Sequence, residues 1–458
     1  MIYAGGFSAY AVGGCVRDML LGREPDDFDI TTSASPQETT RIFEGLYPVI
    51  PTGIEHGTVT VVFENEPIEI TTFRTEGRYS DHRHPDSVSF TRTLGEDLSR
   101  RDFTINAMAF NEKEGLVDMY GGRDDLENGL IRAVGDPYVR FSEDALRIFR
   151  AVRFSAVLGF EIEQRTADAV HALSHELKLV AAERLGKELK KLLLAENPSK
   201  AMRDFSDMIF EAIPELKDEK GCGQHSVYHR YDVWEHTLKA LENTPPNLAV
   251  RAAVLLHDSG KPSAKYTDDR GLDHFKGHVE KSVEISDGML KRFAFPQDTK
   301  KEIHYLILHH EERIPLTKAR VKLLLNAGNE DLFRKLMAVH LADNLAKTEA
   351  VALERGSCGR QGIELMTEIL ESGKMYLQAD LDIKGNELKN IGAEGKEIST
   401  LLDLLYLEVI SGKAENEHSI LLKRAGELLV VIRSSGFSFI PLREECPSYR
   451  KRYADYLC

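Results

Sequence analysis

Cysteine is scarce and scattered. Cys15, Cys222, Cys358, Cys446 and Cys458 form no CxxC pair and are odd in number, which argues against a disulfide frame and suits a reducing cytoplasm. No apolar run approaches the roughly 20 residues that a membrane-spanning helix needs, and no signal peptide opens the chain, so no membrane partner is expected. Basic charge is also short: 59 Lys and Arg face 74 Asp and Glu, a net charge of −15. A non-specific coat on nucleic acid needs the opposite excess to neutralise phosphates, although a local basic strip stays open. Internal repeats and low-complexity tracts are lacking too. What remains is a 458-residue folded composition, 42% hydrophobic and 29% charged, too long for one core, so two to four domains are expected.

The first 140 residues mix strands and helices. "SAYAVGG", "GTVTVVF", "PIEITTFR" and "SVSFTR" read as strands from their β-branched content and alternation. "PQETTRIFEGL" reads as a helix with Ser35 as N-cap and Pro36 at its first position. Beyond 140 the apolar spacing becomes helical almost throughout, as in "EDALRIFRAVRFSAVLGF" and "AERLGKELKKLLLAE". The fold class is therefore α+β, with a mixed head followed by a long helical body. The expected divisions are 1–140, a neck over 141–200, a body over 201–345 and a helical tail over 346–458.

In "AYAVGGCVRDMLLGREPDDFDITTS" an apolar strand ends on two glycines, and acids follow one residue apart. Residues i and i+2 of a strand share a face, so Asp27 and Asp29 project together and suit divalent ions in phosphoryl or nucleotidyl transfer. Mg²⁺ favours a few carboxylates plus phosphate oxygens. Gly13 and Gly14 let backbone N–H groups approach phosphates, with Arg17 as a charged clamp. Glu69 in "IEITTF" is a candidate third acid; the plainer reading is an exposed strand residue.

"GGCVRDMLLGREPDDFDITT" resembles the first signature of the class II tRNA nucleotidyltransferase and poly(A) polymerase family, whose heads resemble the DNA polymerase β nucleotidyltransferase fold. Further motifs follow in the family's order. "RRDFTINAMA" resembles the ribose-binding motif and carries over Arg101, Asp102 and Asn106. "DMYGGRDDL" resembles the head-to-neck motif, "EDALRIFR" the base-reading motif and "ERLGKEL" the helix supporting it. The resemblance implies Mg²⁺ at Asp27 and Asp29, with CTP, ATP and a tRNA acceptor end as partners and no obligatory protein partner. The family usually places a helix before the glycine strand; here almost nothing precedes "FSAYAVGG".

Asp144 and Arg147 stand three apart in what reads as one helix, hence on one face. Cytosine and adenine each offer an exocyclic amino donor beside an unprotonated ring nitrogen. A carboxylate accepts from the first and a guanidinium donates to the second. Guanine and uracil present the reverse pattern, and a site built on hydrogen bonds can reject such a mismatch by about 10⁴. The competing reading is a surface ion pair. Residues 76–88, "EGRYSDHRHPDSV", resemble the flexible loop that the family needs to add the terminal A and that CC-adding relatives lack. "GIEHGTVTVVF" also resembles the CCA-adding branch more than the poly(A) polymerase branch.

A second constellation spans "DVWEHT", "LLHDSGKP", "GHVEKS", "LILHHEE" and "HLADN". Its expected ligand set is His236, His257, Asp258, His278, His309 and Asp343, with His310 adjacent. Imidazoles and carboxylates spread over several helices suit one or two divalent metals of unknown identity. The pattern resembles the HD phosphohydrolase superfamily, which implies hydrolysis of phosphomonoesters or 2′,3′-cyclic phosphates. For tRNA binding the expectation falls on the neck arginines and on Lys187, Lys190 and Lys191, against a reading as solubilising charge. Arg150 and Arg153 are placed with the nucleotide set. A-form stems are recognised mainly by shape and phosphates. Residues 385–425 resemble the tail that contacts tRNA in HD-containing relatives, and the last thirty or so resemble nothing placed. The expected function is CCA addition to tRNA. The alternatives are a poly(A) polymerase, or a metal-dependent phosphohydrolase with an RNA-binding head.

Overall fold

The computed structural model describes residues 1–25, 27–77, 88–311, 316–373 and 377–435. Residues 78–87 of the loop expected at 76–88, and most of the final thirty residues, lie outside that set. Two compact units emerge: Met1–Pro214 with Arg292–Ala294, and Glu215–Lys291 with Phe295–Cys458.

The first unit opens with one 3-10 turn, Tyr3–Gly5, before β1 (Ala9–Val12), α1 (Gly14–Leu20) and β2 (Asp29–Thr32). Then come α2 (Pro36–Phe43), β3 (Val49–Gly53), β4 (Thr58–Phe63), β5 (Glu66–Thr72), β6 (Arg74–Glu76), β7 (Val88–Phe90) and α3 (Leu94–Ser99). The sheet is completed by β8 (Met108–Asn111) and β9 (Gly115–Asp118). Seven strands lie in the order β3-β4-β5-β2-β1-β8-β9. β2 and β5 run parallel while the other neighbours are antiparallel, the mixed sheet that the sequence implied. β6 and β7 form a separate hairpin. The short start does contribute: buried Ile2 packs with Val61 and Ile70 under α2's Phe43. The other face packs Tyr10 and Val12 against Phe73 and against Leu94 and Leu98 of α3. Side chains alternate across a strand, so β2 gives Ile30 to one face and Asp29 and Thr31 to the other. The helix α2 begins as expected, with Ser35 and Glu38 closing a reciprocal cap.

Helices α4 (Gly122–Glu127), α5 (Pro137–Glu143), α6 (Leu146–Leu158), α7 (Gln164–Leu173), α8 (Ala182–Leu193), α9 (Pro198–Asp204) and α10 (Ser206–Ala212) complete this unit. α6 is buried nearly all round, with Ile148, Phe149, Val152 and Phe154 in the core.

The second unit is helical apart from one short hairpin among its described residues. It comprises α11 (Val233–Glu242), α12 (Leu248–Leu256), α13 (Lys261–Ala264), α14 (His278–Arg292), α15 (Gln297–His309), α16 (Lys318–Ala327) and α17 (Glu330–Leu345). The tail adds α18 (Glu349–Arg355), α19 (Cys358–Glu371), α20 (Gly385–Asn390), α21 (Lys396–Ile410) and α22 (His418–Ser435). Leu401, Leu405, Tyr406, Leu421 and Ala425 form much of the tail's own core. No described helix is long and apolar enough to cross a membrane.

Candidate functional site

Two sites emerge, one in each unit. In the head, β1 ends at Gly13, whose φ of +82° a side chain would strain. A Cβ there would also come within 3.0 Å of Arg101 Nη1. Gly14 starts α1, and three residues on Arg17 donates through Nη1 to Asn106 Oδ1 at 2.8 Å. Asp29 is the first residue of β2, and Asp27 lies just before the strand instead of on it. The two charges still meet. Burial of its inner side, then the Asp27 and Glu69 charges, push the Asp29 carboxyl above its ordinary value while Arg101 pulls it down. Glu69 is the register partner of Asp29 on the parallel neighbour β5, which places it beside the pair. Like charges crowded at an open edge fit a divalent cation as the missing counter-charge.

Behind these acids runs a hydrogen-bonded chain. Asn106 Nδ2 donates to Asp102 Oδ1 at 3.1 Å, and Arg150 donates to Asp102 Oδ2 at 2.8 and 2.6 Å. Burial would raise the Asp102 pKa, but Arg150 outweighs it and holds the carboxyl far below the usual range. Arg153 pairs with Glu188 of α8 at 2.7 Å, and Arg150 Nη1 stands 3.7 Å from the same carboxylate. Arg17, Asn106, Asp102 and Arg150, four of the expected nucleotide-binding residues, thus form one connected chain, with Arg101 beside Gly13. Glu188, which lies inside the quoted "ERLGKEL" without an assigned role, anchors Arg153 and stands close to Arg150.

The base-reading pair departs from expectation. Asp144 is not on a helical face with Arg147; it ends α5 in an extended conformation, and α6 starts at Leu146. The reason is local: Asp144 Oδ1 accepts from Leu146 N at 3.2 Å, an Asp turn that competes with helix continuation. Its Oδ2 takes Arg184 Nη2 at 2.7 Å. Arg147, 8% exposed, donates to Glu143 Oε2 at 2.7 Å and to the carbonyls of Arg140 and Arg100, each at 2.9 Å. The pair is therefore held by separate partners across a helix break. Arg184 and Glu143 lay inside quoted motifs but carried no assignment. Among the basic residues, Lys187 and Lys191 are exposed, whereas Lys190 Nζ donates to the carbonyls of Phe293 (3.2 Å) and Ala294 (2.9 Å).

The second site is the tighter cluster. His236–His257–Asp258 and Asp258–His278–His310 are the described groups of three or more whose ligand atoms lie within 4.8 Å of one another. Asp258 Oδ2 is 3.2 Å from His257 Nε2 and 3.6 Å from His236 Nε2. Its Oδ1 is 3.4 Å from His278 Nε2 and 3.7 Å from His310 Nε2. The Nδ1 atoms of His257, His278 and His310 each contact a carbonyl three residues back, at 2.7, 2.9 and 2.7 Å. That contact assigns the proton to Nδ1 and turns a bare Nε2 inward. His257 Nε2, His278 Nε2 and Asp258 Oδ2 are buried with no hydrogen-bond partner, as metal ligands would be. Asp343 Oδ1 lies 3.1 Å from His236 Nε2. Burial works against a charge on His257, yet Asp258 and Asp343 raise its pKa to about 10: the two acids draw a second proton to Nε2, which a bound cation would displace to leave that nitrogen bare. Gly260 follows because a Cβ there would strike the His278 carbonyl at 2.2 Å.

His309 stands outside these two groups: its ring lies 4.5 Å from that of Tyr305, and it is His310 that comes close to Asp258 and His278. The signal was in the sequence: Ile303, Leu306 and Ile307 are buried, and 310 continues that i, i+3, i+4, i+7 stripe while 309 does not. A cavity of about 580 Å³ lined by Tyr228, His229, Lys261, Phe275 and His278 adjoins the cluster.

Comparison with known proteins covers both units. Residues 9–132 match the family model described as poly A polymerase head domain. Residues 159–219 match the probable RNA and SrmB-binding site of polymerase A, and 227–348 match the HD domain. A CCA-adding enzyme of Ligilactobacillus salivarius is 51% identical over 202 residues, 44% of this chain and 49% of the relative, so that match spans about half the relative's length. A crystal structure of the Bacillus stearothermophilus CCA-adding enzyme in complex with CTP superposes with a TM-score of 0.68 at 27% identity, covering 95% of this chain and 96% of that one. The Thermotoga maritima CCA-adding enzyme complexed with tRNA shares the fold, with a TM-score of 0.59 and 22% identity over 93% of each chain. A CCA-adding enzyme of Limosilactobacillus fermentum is 35% identical over 93% of this chain and 94% of its own length, and on that extent of likeness the chain belongs to the CCA-adding enzyme family.

Proposed function

We propose that this chain adds C, C and A from CTP and ATP to the 3′ end of tRNA without a nucleic-acid template, releasing pyrophosphate. The observation that carries the reading is the head acid pair, Asp27 and Asp29, set against the Gly13 turn and the Arg17–Asn106–Asp102–Arg150 chain. Asp27 and Asp29, with Glu69 beside them, would hold Mg²⁺, which when bound neutralises the triphosphate and activates the attacking 3′-hydroxyl. Gly13 and Gly14 leave the backbone open to phosphate oxygens, and Arg17 and Arg101 supply fixed positive charge beside it. Asp102 and Asn106 orient the ribose. Asp144 keeps acceptor capacity for an exocyclic amino group, and Arg147 retains N–H donors beyond those already bonded. Arg150 and Arg153 hold the neck side of this pocket. Exposed Lys187 and Lys191 face tRNA phosphates; Lys190, bonded to carbonyls, braces the helix that carries them.

Residues 1–140 then act as head, 141–200 as neck, 201–345 as the HD-containing body and 346–458 as a tRNA-binding tail, in the cytoplasm. In the body, His236, His257, Asp258, His278, His310 and Asp343 hold one or two divalent cations and support hydrolysis of phosphomonoesters or 2′,3′-cyclic phosphates.

The test is incubation with tRNA ending before CCA, plus CTP and ATP singly and together. CTP alone should give two additions and the pair three. A ladder of A residues from ATP alone would instead point to poly(A) synthesis. No extension under any condition would leave the metal-dependent hydrolase as the surviving reading.

A further inference from the structure

No motif singles out Asp97, yet its carboxylate is completely buried and draws partners from three parts of the head. Thr31 Oγ1, on β2 two residues past Asp29 and on the same face, donates to Oδ2 at 3.1 Å. The main-chain N–H of Arg74, which opens β6, donates to Oδ1 at 3.4 Å. Arg100 donates to Oδ1 at 3.0 and 2.8 Å, and Arg101 Nη2 stands 3.6 Å from Oδ2. The other arm of the same guanidinium, Nη1, lies 3.0 Å from where a Cβ on Gly13 would be, and Arg101 Nε is buried without a partner. Next to it, the Arg100 carbonyl receives Arg147 Nη2 at 2.9 Å.

A buried carboxylate is a poor choice for stability alone, since well-packed apolar residues commonly do as well or better. α3 already supplies Leu94 and Leu98 to the core beside it. What an apolar side chain lacks is the ability to fix two guanidinium groups and a strand at once.

We propose that Asp97 is a positioning residue for nucleotidyl transfer: with its carboxylate fixed by Thr31, Arg100 and the Arg74 main chain, it holds Arg101 over the Gly13 turn, so that Arg101 meets the incoming nucleoside triphosphate in one fixed geometry. This rests on the nucleotidyltransferase reading above. Asp97 touches no reacting atom and acts through Arg101.

The test is steady-state kinetics with tRNA lacking CCA, varying CTP, for the full-length wild type, Asp97→Asn, Arg101→Ala and the double variant. Asp97→Asn should raise the KM for CTP about tenfold while leaving the KM for tRNA unchanged, the mark of lost nucleotide binding. In the Arg101→Ala background the same change should add nothing, because the two act as one unit. Thr31→Val, which keeps every charge, guards against a folding defect in Asp97→Asn; its smaller rise in KM should also vanish once Arg101 is gone. An unchanged KM in both single variants, or effects that multiply in the double variant, overturns the proposal. A wild type that adds no nucleotide would defeat the underlying reading instead.

Discussion

Replacing Glu188 by Gln removes one negative charge from between α6 and α8 with almost no change of volume. Arg153 and Glu188 are each 7% exposed, and their 2.7 Å contact leaves little room for water to substitute. Arg150 sits 3.7 Å from the same carboxylate, so two guanidinium groups lose a partner while Asp102 still serves Arg150. Breaking a buried ion pair from one side costs roughly 3–5 kcal/mol, because the remaining charge is stranded. The lower end applies here, since the Gln carbonyl can still accept one bond from Arg153 and Arg150 is about one-third exposed. A loss of about 3 kcal/mol is a large share of a domain stability of about 5–15 kcal/mol. With two compact units, a single global midpoint is not the right readout. Hydrogen exchange of α6 and α8 amides during urea titration isolates the neck. Protection there should fall by about two powers of ten, since each 1.4 kcal/mol is tenfold. The pair Arg153→Met with Glu188→Leu should recover most of that stability. If Glu188→Gln shifts neck protection less than threefold, or if the apolar pair is worse than the single change, the stranded-charge reasoning is wrong.

Other consequences are as direct. Asp102, held far below its ordinary pKa, contributes stability that is fully present above its unfolded value of about 3.9 and lost as pH falls through the lower folded value; amide protection of α6 in urea should drop below about pH 4, and Asp102→Asn should lose part of that dependence. At a hundredfold excess over its Kd, a metal that binds only the folded protein adds about 2.7 kcal/mol. That gain, read with Mn²⁺ as added amide protection of α12 and α14, should persist in His309→Ala and disappear in His310→Ala and Asp258→Ala. Gly13→Ala forces a side chain into positive φ at a cost of about 1–2 kcal/mol and crowds Arg101; CTP binding by calorimetry should weaken while tRNA binding stays intact.

Local rules carried much of the fold. The α2 cap, the strands that became β1, β4, β5 and β7, and the helices that became α6 and α8 are set by short-range pattern, so they were legible in the sequence. The acid pair was read from strand alternation, but Asp27 stands just before β2, so alternation accounts for Asp29 and Thr31 and not for Asp27. Asp144 was not legible, because an Asp bonding its own backbone looks the same in sequence as an Asp on a helix face. Asp97 escaped because its partners come from residues 31, 74, 100 and 101, and only the folded sheet brings them together. Lys190 read as a phosphate ligand because nothing nearby in the chain announces the carbonyls of Phe293 and Ala294. His309 and His310 differ by helical phase: 310 continues the buried stripe of Ile303, Leu306 and Ile307, and 309 does not.

The central claim is that two head carboxylates drive nucleotide addition, and single-turnover transfer from CTP to tRNA lacking CCA tests it most directly. With Mg²⁺ saturating, Asp29→Asn should slow that transfer by at least about a thousandfold, roughly 4 kcal/mol of barrier, while tRNA binding is unchanged. A variant that still transfers within tenfold of the wild-type rate would contradict the account.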